Sequence, residues 1–342
     1  MPQLHNDKAK YLKHWKVALR VVLSVIIVVF LAFQLKWESL QSVLTEMNHG
    51  LVLLAFVIIQ VGQSFSSLRW LILARIAGFQ SSYHRFRTLF YVGTFFNLFL
   101  PTSIGGDAVR AWKLAANKKE RPAAFGTVIA DRLAGVTVML IMACLATINS
   151  LNAIDTWIIL LPWALLAGII ATLVVLPRLS VRSEKYLAIV QNLTWSAHKT
   201  SPWSQALGLA FIVQCMATWQ VILLGQALGL ATPWYAYFVV VPLVTLLTML
   251  PVSFNGIGVR EGGLILLFAP YGVSKEQALA LGVAWFALSV GVGLVGGVFY
   301  LFFDRHEVSA TYRTLVEEGK DSHESLDRGS NEGRERQRRA AA

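Results

Sequence analysis

An eleven-residue pattern occurs twice in this chain, each time inside a stretch apolar enough to lie in lipid. The first copy reads Leu100-Pro101-x-Ser103-x-x-Gly106-x-x-Val109-Arg110, and the second Leu250-Pro251-x-Ser253-x-x-Gly256-x-x-Val259-Arg260. Six of the eleven positions agree without a gap, at an offset of 150 residues (251 − 101). Proline, glycine and arginine are poor residues for the centre of a membrane helix. Meeting them together twice indicates two copies of one broken-helix element, and in transporters such elements surround the substrate.

The rest of the chain supports a membrane setting. It is 56% hydrophobic and 14% charged, with a mean hydropathy of +0.57. Apolar runs long enough to cross a ~30 Å hydrocarbon core recur along most of it, so the expected fold class is an all-α polytopic membrane protein. The alternation and turn punctuation of a β-barrel are missing. Net charge is +11, yet the basic residues lie mostly in short loops between apolar runs, where membrane topology explains them, and nucleic-acid binding is not expected. Cys144 and Cys215 each lie in an apolar run and the seven histidines are scattered singly, so neither a metal site nor a cofactor is expected.

About six transmembrane helices are predicted, over 17–35, 51–77, 123–148, 156–176, 204–230 and 275–303. A basic amino terminus (1–16) precedes the first, which reads as a retained helix rather than a cleaved signal. The two motif copies fall in apolar hairpins, 85–116 and 233–271. If both hairpins re-enter, one face collects Arg75, Arg85, Arg87, Lys118, Lys119, Arg121, Arg178, Arg182, Lys185 and Lys199, while the other receives Lys36 and Lys275. Lys/Arg bias then makes the first face cytoplasmic, with both termini on that side of the membrane. Three spans separate the hairpins, an odd number, so they enter from opposite faces as an inverted repeat. Residues 304–342 carry nine acidic and eight basic side chains with few apolar ones, a composition expected to stay disordered.

Ionisable residues at membrane depth each cost about 2.5–3.5 kcal/mol on insertion scales and need a reason. Asp107 and Arg110 lie in the first hairpin, Asp131 and Arg132 in the third span, and Arg260 and Glu261 in the second hairpin. Arg69 and Lys113 lie nearer the cytoplasmic ends, where snorkelling explains them at least as well as a site does. Ser103, Gly105 and Gly106 precede Arg110, as Ser253, Gly256 and Gly258 precede Arg260. Glycine lets backbone approach a ligand, a helix start attracts anions, and arginine's fork matches a pair of phosphate oxygens. An anionic head group is therefore the favoured ligand. Arg110 and Arg260 would bind its phosphate in turn from the two sides of a shared polar cavity, and Arg132 would line the path. Asp107, Asp131 and Glu261 would hold the arginines or relay protons. The alternative is that these charges only neutralise one another. Gly291-Val-Gly293-Leu-Val-Gly296 matches a dinucleotide fingerprint but lies in an apolar span, where Gly293 and Gly297 read as a helix-packing face.

The run Asn97-Leu98-Phe99-Leu100-Pro101-Thr102-Ser103-Ile104-Gly105-Gly106-Asp107-Ala108-Val109-Arg110, the Asp131-Arg132 pair, and Pro251-x-Ser253-x-x-Gly256-x-Gly258-Val259-Arg260-Glu261 together resemble one family. It is the lysylphosphatidylglycerol synthase transmembrane-region family of flippase-like proteins, and the likeness covers about 15–303. The resemblance implies an integral protein of the bacterial or archaeal cytoplasmic membrane. Relatives carry this domain as the lipid-translocating half of a synthase, and others are associated with hopanoid or polyprenyl-linked glycolipid pathways. The segment after residue 303 is too short for an aminoacyl-transferase domain, so the family name is not read as an activity. The function expected is translocation of an anionic phospholipid or lipid-linked intermediate, with no enzymatic step. A separately encoded lipid-modifying enzyme is a candidate partner. The rival readings are a polyprenyl-phosphate-dependent glycosyltransferase with Asp107 or Asp131 as base, a secondary transporter of a small anion, and a scaffolding subunit.

Overall fold

The computed structural model describes residues 45–99, 105–150, 154–175, 200–250, 253 and 256–303. The expected first span, the loop 178–199, the tail, and Leu100 to Ser103 of the first motif lie outside the described residues. Among the described residues all regular structure is helical, in nine α-helices and two 3-10 turns, Ile148–Ser150 and Ala269–Tyr271. They are α1 (His49–Ile76), α2 (Tyr83–Phe99), α3 (Gly105–Leu114), α4 (Arg121–Thr147), α5 (Thr156–Val175), α6 (Thr200–Ala227), α7 (Trp234–Met249), α8 (Val259–Phe268) and α9 (Lys275–Phe303).

Local chemistry sets several of the ends. Asn48 caps α1, its side-chain oxygen accepting from Gly50 N–H at 3.0 Å and Leu51 N–H at 3.3 Å. Pro122 stands in the first turn of α4, where a missing N–H costs no helical bond. Among the described residues, α1, α4, α6 and α9 are long and apolar enough to cross a membrane. The structure is that of a multi-pass membrane protein. Leu53, Leu160, Phe211 and Leu294 point outward, as expected where the surroundings are hydrocarbon.

Each motif copy is flanked by an antiparallel helix pair, α2 with α3 and α7 with α8. In the first, Gly106 of α3 packs on Gly93 of α2, and farther from the break Arg110 lies over Phe90. In the second, Gly256 abuts Thr248, Gly263 abuts Val244 and Leu247, and Phe268 meets Tyr237. At 1.5 Å per residue, α2 and α7 are about 25 Å long and α3 and α8 about 15 Å. The returning arm of each pair is thus too short to cross a ~30 Å core.

One face of α9 touches both pairs. Gly282 lies under Glu261 and Leu264 of α8, Gly293 under Leu98, and Gly296 under Tyr91 and Phe95 of α2. Gly291 meets Phe56 of α1, and Gly297 meets Phe95. Without side chains at these positions the helices approach closely, the packing expected of a glycine-rich apolar helix. Along α9 the contacts with α8 fall nearer its start and those with α2 nearer its end.

The Gly93–Gly106 contact leaves no room for a methyl group, since a Cβ on Gly106 would run into the Gly93 carbonyl. Gly106→Ala is expected to destabilise the protein by about 1–3 kcal/mol through overpacking. Thermal unfolding in detergent checks this, with Gly262→Ala, where the added carbon meets nothing within 4 Å, as control.

Candidate functional site

The first break is closed by a side chain. Asn97, near the end of α2, accepts the Gly106 N–H at 2.7 Å and satisfies a donor that the start of α3 would otherwise leave open. That bond and the Gly93 contact fix the direction in which α3 sets out. Asp107 stands in its first turn, where the helix dipole favours a carboxylate. One turn on, the Arg110 guanidinium lies against the Trp70 and Phe90 rings, with Cζ 4.7 and 4.6 Å from their centroids. Trp70 is itself held, donating Nε1–H to Thr127 of α4 at 3.0 Å.

Five charged side chains then form a string of alternating sign, running from the interior to an open end. Arg69 of α1 gives Nε to Asp131 Oδ1 at 2.7 Å, and the other Asp131 oxygen meets Arg110 Nη2 at 3.0 Å. Arg110 Nε meets Asp107 Oδ1 at 3.0 Å, and Asp107 Oδ2 takes the Nε of Arg132 at 2.6 Å. The first four side chains are at most 8% exposed, while Arg132 is 41% exposed. Three arginines face two aspartates, so the string carries a net charge of +1 (3 − 2), with its exposed cation at the Arg132 end.

The second copy is built otherwise. Gly256 and Gly258 take φ of +74° and +81°, which L side chains rarely adopt, so the break depends on glycine at both places. Glu261 caps α8, accepting the Gly258 N–H at 2.6 Å. Arg260 is buried, with Cζ 5.5 Å from each of the Trp285 and Phe286 ring centroids on α9. The Ser253 hydroxyl is buried and has no hydrogen-bond partner among the described residues. At the repeat offset the counterpart of Asp107 is Ile257 and that of Glu261 is Ala111, so each copy places its acid differently around the shared arginine.

Several expectations need correction. Arg110 does not open onto a cavity shared with Arg260, because two carboxylates and two aromatic rings enclose it. Gly106 serves a helix contact rather than a ligand, since Gly93 and Asn97 occupy the space beside it. Arg69 does not snorkel; it is buried against Asp131. Gly105 opens α3 and is partly buried. The structure brings Asp107, Arg110, Asp131 and Arg132 together with Arg69. Asn97, Trp70 and Phe90 were not singled out from sequence, although a polar residue just ahead of a break is a usable signal for a cap. No group of three or more metal-ligating side chains occurs among the described residues.

The chain matches the family described as Lysylphosphatidylglycerol synthase TM region over residues 17–297. It belongs to that family, which points to a membrane protein concerned with lipid. No curated protein matches it.

Among the described residues Asp131 is the acid paired with both Arg69 and Arg110. Asp131→Ala strands Arg69, leaves Arg110 with Asp107 alone, and is expected to cost about 3–5 kcal/mol. Arg132→Gln, at the exposed end, is expected to leave the melting temperature nearly unchanged. Parallel melting curves of the two purified variants check the contrast.

Proposed function

We propose that this member of the family is a lipid translocase, moving an anionic phospholipid or lipid-linked intermediate between leaflets. The observation that carries the reading is the uneven charge string. Isolated charge at membrane depth is costly, and the surplus cation stands at the exposed end, where an incoming phosphate can complete the alternation. The Arg132 guanidinium keeps its terminal nitrogens beyond the Nε bond to Asp107, enough for a two-pronged phosphate contact. Arg110 is then a positioning residue that fixes Asp107, which in turn fixes Arg132. Arg260, against Trp285 and Phe286, is the contact on the other side.

The two helix pairs are read as re-entrant and inverted. Short returning arms support re-entrance, and the order of contacts along α9 supports approach from opposite faces. On the basis of the Lys/Arg bias, the loop with Lys118, Lys119 and Arg121 is cytoplasmic, in a cytoplasmic-membrane protein. A helix break is tolerated at that depth because protein groups, such as Asn97 and Glu261, satisfy the freed N–H groups. In this role the chain performs no covalent chemistry, and a separate lipid-modifying enzyme would supply or consume its cargo.

A small soluble anion is the competing cargo. Ile129, one turn before Arg132 on the same helix face, is 39% exposed, which sets the cation beside apolar surface and favours a lipid. Reconstitution into liposomes carrying a leaflet-labelled anionic lipid tests the reading. Arg132→Gln is expected to slow translocation about tenfold or more, the weight of a charge-assisted contact. An undiminished rate in the folded variant overturns the role given to Arg132, and a wild-type chain that moves no lipid overturns the translocase reading.

A further inference from the structure

Helix α4 carries two arginines on one stripe. Arg121, Phe125, Ile129 and Arg132 follow at spacings of four, four and three, so all lie on one face, with the ends about 16 Å apart. Arg121 opens the helix with its guanidinium laid on the ring of Trp112, Cζ 3.7 Å from the centroid. Trp112 is 53% exposed. Among the described residues Arg121 makes no ion pair or hydrogen bond, so its donors remain open while the indole holds it in place. Phe125 is partly buried and Ile129 exposed, giving an apolar stretch between the two cations.

The surroundings of Arg121 are basic. Lys118 and Lys119 are exposed on the preceding turn. The one acid there, Glu120, has its oxygens engaged by Ala116 N–H at 2.9 Å and the Asn117 side-chain amide at 2.8 Å. Asn117 Oδ1 in turn accepts the N–H groups of Lys119 and Glu120, so the turn is held by its own bonds. An exposed indole beside basic residues at a span's end is the chemistry of a membrane interface.

We propose that this stripe is a docking track for a phosphate-bearing lipid. The head group sits on the Arg121–Trp112 platform, the acyl chain lies along Phe125 and Ile129, and Arg132 is the next cation inward. The second step rests on the translocase reading, whereas docking at Arg121 stands apart from it. The stripe pairs charge with adjacent exposed hydrocarbon, which a lipid matches and a free anion does not.

The test uses the full chain in nanodiscs of equal parts phosphatidylglycerol and phosphatidylcholine, with a photo-crosslinking phenylalanine analogue in place of Ile129. Phosphatidylglycerol is expected to be captured about fivefold over phosphatidylcholine, the weight of one basic residue at an anionic surface. Arg121→Gln and, independently, Trp112→Leu should abolish that preference, Arg121→Lys should keep part of it, and excess soluble glycerol phosphate should not compete. Equal capture of the two lipids, a preference that survives Arg121→Gln, or competition by glycerol phosphate overturns the proposal. Preferential capture by a chain that moves no lipid in the liposome assay would leave the dock standing while the translocase reading falls. Confirmed translocation without preferential capture removes the dock alone.

Discussion

Asp131 holds the first half of this molecule together. Its two oxygens are shared between arginines from two other helices, Arg69 of α1 and Arg110 of α3. In hydrocarbon there is little gain from burying one apolar side chain against another, so polar contacts and close backbone packing carry more of the specificity. A carboxylate that must satisfy two buried guanidinium groups accepts few arrangements of its neighbours. The hairpin made by α2 and α3 is therefore fixed from one side by charge and from the other by the Gly93–Gly106 contact.

Function, on this view, follows from an imbalance in that packing. A string with equal numbers of each sign would be complete in itself. One more arginine than aspartate leaves the last cation reaching outward at the edge of the hairpin, and the Arg121–Trp112 platform lies farther out along the same helix. The two features share α4, whose rigidity holds their spacing.

Much of this was legible in the residues, and the parts that were not have a common cause. The α9 packing face follows from glycines in an apolar helix, and the turn before α8 from two glycines, all of which act locally. Asp107 and Arg110 pair because they stand three apart on one helix, also a local matter. What could not be read was which distant side chain completes each pair. Arg69 is 62 residues from Asp131, and nothing near it in the chain distinguishes a buried partner from a snorkelling one. Likewise, matching positions for Arg110 and Arg260 suggested matching surroundings, but the helices packed around them differ: acids and rings for one, α9 aromatics for the other.

The break before α8 depends on two left-handed glycines and a glutamate cap, whereas the start of α3 is held by an asparagine reaching across from α2. The two copies of the motif therefore share residues without sharing their chemistry. An exchange of the two eleven-residue segments would carry Asp107 to a place with no matched acid and deprive Arg132 of the carboxylate that orients it. The two segments are, in their chemistry, parts that could not stand in for each other.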